Sequence, residues 1–249
     1  MIPDYFKNRK SIRKFLPKEV DSNLLHDILE TAMRAPTTGN MQLYSVIVTR
    51  SEEMKSRLAP LHFSQPASVS APVLITVCAD LYRFTQWCKA CNADVGFDNF
   101  LSFTSAFADA IIYTQQLVTI AEMQGLGTCY LGTVLYNAGK ISELLDLPEL
   151  TVPVATIALG WPNEDGVETE RLPLDGVVFD ERYPKLDENL VKELFRVKDK
   201  YPANQKFVEE NSKDNLAQVF AEIRYPKDMN ENISKQLLEF LEKQNIKLK

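Results

Sequence analysis

The sequence predicts a layered α+β fold, and three observations carry that expectation. Four apolar runs have the length of strands, a segment near the N-terminus repeats its apolar residues at helical spacing, and one long segment is apolar on almost every side. From Asp21 to Met33, Leu24, Leu25, Ile28, Leu29 and Ala32 form a helical stripe behind Asp21 and Ser22, which supply a polar cap. The pattern stops at Arg34-Ala35-Pro36, because proline biases the residue before it away from helix. Thr37 to Asn40 reads as a polar loop, Leu43 to Thr49 as a strand, and Ser51 as the cap of a helix ending at Leu58. The run Pro72 to Ala79 lacks polar alternation, as a strand buried on both faces requires. Ser102 to Gln124 is the longest helical segment, and its apolar residues lie around most of the circumference, so it must be covered nearly all round. Gly125 and Gly127 end it, and Thr128 to Leu131 follows as a third strand. Asn137 then caps a helix to about Leu147, and Val152 to Leu159 forms the fourth strand.

Beyond Lys185 apolar residues thin out among lysines and acids, and helical spacing returns in Ile233, Leu237, Leu238, Phe240 and Leu241. The expected division is a core of residues 1–185 and a helical C-terminal extension of residues 186–249, packing on the core or on a partner. The stretch Tyr201 to Asn204 reads as its most flexible point.

Charge and cysteine usage narrow the function. A net charge of −6 argues against nucleic acid as a partner, since phosphates are neutralised by a broadly basic face. No apolar run approaches the roughly 18–20 residues of a membrane span. Met1 to Phe6 leads straight into a charged stretch rather than a secretory core, so a cytoplasmic location is expected. Cys78, Cys88, Cys91 and Cys129 are then reduced thiols. Cys88 and Cys91 have the spacing of half a metal site, but with only His26 and His62 in the chain no second half is at hand, and no metal is expected.

One segment departs from the acidic balance. Lys7, Arg9, Lys10, Arg13 and Lys14 follow one another with no acid among them. Arg9, Ser11 and Arg13 are spaced by two, so on an extended backbone they share a side and can cradle a small anion. Ile12 and Phe15 can tuck beneath. The same run also reads as a solvated basic arm. In the loop after the first long helix, Thr38, Asn40 and Gln42 offer donors and acceptors suited to the edge of a planar heterocycle. Ordinary turn chemistry favours the same residue types.

Taken in order, Arg9 to Phe15, then Ala35-Pro36-Thr37-Thr38-Gly39-Asn40-Met41-Gln42, resembles the opening of the FMN-dependent nitroreductases. Gly125 to Gly132, Leu159 to Pro162 and Arg171-Leu172-Pro173 resemble the later signatures of that family. Within it the chain resembles the larger branch, that of the major oxygen-insensitive NADPH nitroreductase and the NADPH-flavin oxidoreductase. The resemblance implies a three-layer fold with a central mixed, mainly antiparallel sheet flanked by helices, and FMN at a homodimer interface. It places the FMN phosphate and ribityl chain against Arg9, Ser11 and Arg13, with Arg171 arriving from further along the chain. Thr38, Asn40 and Gln42 would lie along the ring or ribityl face, contributed by either subunit. Gln65 would approach the flavin edge, and Tyr130, Leu131 and Gly132 would form the opposite wall, with backbone amides toward N5. Two positions depart from the branch: Arg9 where histidine is frequent, and Thr169 where a lysine often stands.

The activity so implied is ping-pong hydride transfer from NADPH or NADH through FMN to nitroaromatics, quinones or flavins. FMN carries the chemistry, so no catalytic acid or base is assigned. Two other roles fit the same residues: a reductase supplying free reduced FMN to another enzyme, and an FMN-binding protein without turnover.

Overall fold

The computed structural model describes residues 3–249; Met1 and Ile2, where the stretch read as lacking a secretory core begins, lie outside the described residues. The chain forms two compact units, one running to Val167 and resuming at Lys235–Lys249, the other Glu168–Ser234. The boundary expected after residue 185 thus falls inside the second unit. The helix Lys227–Lys243 carries the chain back to the first.

In the first unit four strands, β1 (Tyr44–Thr49), β2 (Val73–Asp80), β3 (Gly127–Tyr130) and β4 (Thr151–Gly160), form a sheet in the order β1-β2-β4-β3. All three ladders are antiparallel. The parallel pairing described is an isolated bridge between Asn99 and Lys247. Every residue of β2 and of β4 is buried, which is why neither run alternates in sequence. β1 and β3 are the edges.

Each helix start has a local cause. Asp21 accepts from the backbone N–H groups of Asn23 and Leu24 and opens the helix Ser22–Ala32, and Ser51 accepts from Met54 N to open Glu52–Leu58. The longest helix begins two residues earlier than its apolar pattern suggests, at Phe100, because Asn99 accepts from Ser102 N. Asn137 stands at the start of Ala138–Leu144 without capping it; its side-chain amide donates instead to Leu61 O at 2.8 Å.

The long helix Phe100–Met123 buries Phe103, Ala106, Ala110, Tyr113, Leu117, Val118 and Ala121 against the sheet. Within one chain its cover stops there. Leu101 and Ile112 are exposed and Phe107 and Ile111 half-buried, so an apolar flank stays open. No helix among the described residues is long and apolar enough to cross a membrane.

The second unit is helical, with Glu188–Asp199, Pro202–Glu210 and Leu216–Gln218 as its α-helices and a π-turn at Val219–Arg224. Tyr201 and Asn204, expected to be flexible, open a helix. Pro202 suits its first position, Tyr201 Oη donates to Glu168 O at 3.0 Å, and Asn204 Nδ2 donates to Lys198 O and Glu170 Oε1. Arg224 lies over the Phe207 ring, 4.2 Å from its centroid.

Candidate functional site

The basic arm runs along β3. Ile12 N donates to Thr128 O at 2.9 Å, Ser11 bridges to Val167, and Phe15 bridges to Pro162. Ile12 and Phe15 are buried in a small cluster with Cys129 and Leu131, so they anchor the segment from beneath. The approach is close: a Cβ on Gly127 would lie 2.8 Å from Ile12 Cβ. Gly166, at φ +68, leaves similar room for Lys10.

The three cradle residues differ in state. Arg9 is half-buried, with Nη2 3.1 Å from Glu122 Oε1 and 3.5 Å from Thr128 Oγ1, while its Nε is buried without a partner. Ser11 is half-buried and Arg13 exposed, and no protein partner is assigned to either side chain among the described residues. The backbone N–H groups of Arg13 and Lys14 donate to Glu164 Oε1 at 2.5 and 3.2 Å. Burial raises the Cys129 thiol pKa, and the charges of Arg13 and Arg9 lower it in part.

The wall follows directly. Tyr130 is half-buried and its phenol is pushed up to about 12 by burial, with Arg9 opposing and Glu122 adding to the rise. Leu131 is buried and its N–H is committed to Thr156 O at 2.8 Å, so it has no amide to offer a ligand. Gly132 opens a 3-10 turn, Gly132–Asn137, where the first N–H groups have no partner within the turn. A Cβ built on Gly132 meets nothing within 4 Å, so the space beside this amide is open.

Gln65 follows the turn Ala59–His62, after Phe63 and Ser64 at φ 56 and 49, and stands at the start of the short helix Pro66–Ser70 without a side-chain cap bond. Asn137 Nδ2 donates to Leu61 O, which joins the Gly132–Asn137 turn to the loop that leads to Gln65.

The loop Thr38 to Gln42 lies elsewhere. It feeds β1, at the sheet edge opposite β3, three inter-strand spacings or about 14 Å away. Thr38 donates both N and Oγ1 to Asp109 Oδ1, at 2.8 and 3.0 Å, and Leu43 N donates to Asp109 Oδ2 at 3.3 Å. The Thr38 hydroxyl is therefore an anchor to a buried carboxylate on the long helix. Gly39, Asn40 and Gln42 all take positive φ, near +55, a strained turn that leaves Asn40 exposed. Arg171 belongs to the second unit and is exposed, with Nη1 near Thr169 Oγ1, Thr169 O and Glu170 O.

Sequence reading missed four residues: Asp109, Glu122, Glu164 and His62. Asp109 had a signal, being an ionisable residue inside an apolar helix. Glu122 had one too, an acid in the last turn, where the helix dipole disfavours it.

The donors left over, Ser11 Oγ and the Arg13 guanidinium, suit a small dianion such as a terminal phosphate. Further along the same strand, at the start of the turn after β3, Gly132 is exposed with open space where a Cβ would stand. The fold is that of an α+β protein with a donor set suited to a phosphorylated group along one sheet edge. The chain belongs to the nitroreductase family, whose model matches residues 6–161. It is 30% identical to the oxygen-insensitive NADPH nitroreductase of Salmonella typhimurium, over 73% of this chain and 74% of that protein. It is 29% identical to an FMN reductase (NADPH) of Bacillus subtilis, over 71% and 72%. A candidate oxidoreductase of Bacteroides fragilis NCTC 9343 superposes with a TM-score of 0.96 at 44% identity, over 98% of this chain and all of that one.

Proposed function

We propose that this chain is an FMN-dependent oxidoreductase that takes a hydride from NADPH or NADH and delivers it to small electron-poor acceptors: nitroaromatics, quinones or flavins. The observation that carries the reading is the basic arm along β3, whose Ser11 and Arg13 side chains have no protein partner among the described residues, on the strand that leads to exposed Gly132. Bound FMN would supply the redox chemistry, accepting and donating two electrons with a hydride. Ser11 and Arg13 would hold the phosphate. The Gly132 N–H would orient the ring and stabilise negative charge arising on it, and Tyr130 and Leu131 would exclude water from that side. Gln65 would hydrogen-bond the ring edge.

Thr38, Asn40 and Gln42 lie at the far edge of their own sheet, and a homodimer in which the partner copy brings this loop to the flavin resolves that separation. The exposed Leu101 and Ile112 on the long helix, with Phe107 and Ile111 half-buried, support such a pairing, because apolar side chains left open on a folded chain call for a cover. A cytoplasmic home completes the reading, supported by four unpaired thiols, the state that reducing compartments maintain.

Purified protein should be yellow, release FMN rather than FAD on denaturation, and lose its flavin colour anaerobically on addition of NADPH or NADH. Release of stoichiometric FAD would overturn the cofactor assignment. Flavin that neither nucleotide can bleach would leave a binding protein without turnover. Turnover with free FMN but no quinone or nitro compound would make it a supplier of reduced flavin.

A further inference from the structure

His62 is fully shielded from water in the turn Ala59–His62. Its Nδ1 lies 3.1 Å from Thr133 Oγ1, while Nε2 is buried with no partner. A polar ring atom enclosed without a partner costs free energy that an apolar side chain of similar volume would not. Packing alone therefore does not explain an imidazole here. Unpaired N–H groups are rarer in protein interiors than unpaired acceptors. The arrangement with the smaller penalty puts the ring proton on Nδ1, donating to Thr133 Oγ1, and leaves the Nε2 lone pair bare.

The pair sits where two loops meet. One reverses at Phe63 and Ser64, whose left-handed backbone is held by Phe63 N donating to Pro60 O and Ser64 N donating to Ala59 O, and delivers Gln65. The other is the turn Gly132–Asn137. Asn137 already joins the two through Leu61 O, and the Phe63 ring meets Tyr136 edge-on with centroids 6.3 Å apart. These contacts lie toward the far end of the turn; the His62–Thr133 bond lies next to Gly132 itself.

We propose that His62 is a positioning residue for the flavin site: through Thr133 it fixes the spacing between Gln65 and the Gly132 amide, the two sides between which the ring is held. The proposal rests on the flavin reading given above.

Three variants test it: Thr133→Val, which removes the hydroxyl at nearly constant shape, His62→Leu, and His62→Asn, whose side-chain amide occupies the place of Nδ1 and can still donate. FMN affinity of the apo-protein is read by quenching of flavin fluorescence, together with the visible spectrum and midpoint potential of bound FMN. Thr133→Val and His62→Leu are each expected to weaken FMN by about three- to tenfold, the loss of one hydrogen bond. Both should shift the flavin band or potential, and the double variant should be no weaker than either single one. His62→Asn should recover the affinity and the spectrum. Wild-type affinity, spectrum and potential in Thr133→Val and His62→Leu would overturn the proposal, as would equal losses in all three variants that track apo-protein melting. If His62→Leu does not fold, Thr133→Val still decides, since it leaves the imidazole in place. Wild-type apo-protein that takes up no FMN overturns the flavin reading itself. Binding that responds to Arg13→Ala but to neither member of the pair overturns only this inference.

Discussion

Arg9 Nη2 stands 3.1 Å from Glu122 Oε1, and that contact divides the labour along the basic arm. Glu122 sits in the last turn of the long helix, where the helix dipole disfavours an acid, and its side chain is only 8% exposed. Arg9 supplies the opposite charge, Thr128 donates its hydroxyl, and Tyr5 Oη donates at 2.7 Å. Burial, then the bond to Glu122, raises the Tyr5 phenol pKa. The arginine at the start of the cradle is therefore chiefly a strut, with Nε buried and without a partner among the described residues.

Replacing Arg9 by Ala should accordingly act on stability. Glu122 would lose its charged partner in a nearly closed site, at a cost of about 1.5–3 kcal/mol. Arg13→Ala, on an exposed side chain, should leave urea unfolding unchanged and weaken FMN about tenfold or more, well beyond Lys14→Ala. If Arg9→Ala unfolds like wild type, Glu122 does not need the pair.

Asp109 gives a second separation of stability from binding. Its two oxygens receive Thr38 N, Thr38 Oγ1 and Leu43 N, so Asp109→Ala strands three donors at the start of β1. We expect a loss of about 2–4 kcal/mol, since hydrogen bonds to a charged acceptor are the stronger kind. Thr38→Val, which keeps the backbone donors, should cost about 1 kcal/mol. Chemical denaturation of the two variants checks the ratio; equal losses would assign the anchor to the hydroxyl alone.

How much of this was legible in sequence depended on range. The strands and the caps at Asp21 and Ser51 follow from neighbours within a few residues, so pattern revealed them. The commitment of Thr38 to Asp109, 71 residues away, and of Arg9 to Glu122, 113 away, is set by packing and leaves no periodic trace. Spacing could show that Arg9, Ser11 and Arg13 share a side, but not that one of them is already paired. Likewise, the strand order that separates the Thr38 loop from Gly132 by the width of the sheet is a tertiary fact. The texture of the sequence changes after Lys185, whereas the compact unit spans Glu168–Ser234, a limit set by packing rather than by composition.

The pH dependence of stability has one assignable component. Burial pushes the His62 pKa down to about 4 from 6.5. Between those values the unfolded chain binds a proton that the folded chain refuses, so the stability of the buried neutral ring is complete above about pH 6.5 and is lost as pH falls through 4. The full loss is about 3 kcal/mol. Urea titrations at pH 7.5, 6 and 5 should show a steeper decline for wild type than for His62→Asn, which carries no titrating ring. Parallel declines would place the acid sensitivity in the carboxylates.

Two glycines on the same strand and turn should respond in opposite ways. At Gly127 an added Cβ would press within 2.8 Å of Ile12 Cβ, whose position is fixed by its own backbone bond to Thr128 and by the cluster beneath. Gly127→Ala should therefore destabilise the apo-protein by about 1–3 kcal/mol, the range for overpacking. At Gly132 the same methyl group meets nothing within 4 Å, so Gly132→Ala should unfold like wild type. Yet if the open space beside Gly132 is where the flavin ring lies, the methyl group intrudes on the ligand, and FMN affinity should fall at least about tenfold, the level of roughly 1.4 kcal/mol. Thermal melts of the apo-proteins set beside FMN titrations separate the two effects. Unimpaired flavin binding by Gly132→Ala would move the ring away from this wall and remove the assignment of the Gly132 amide with it.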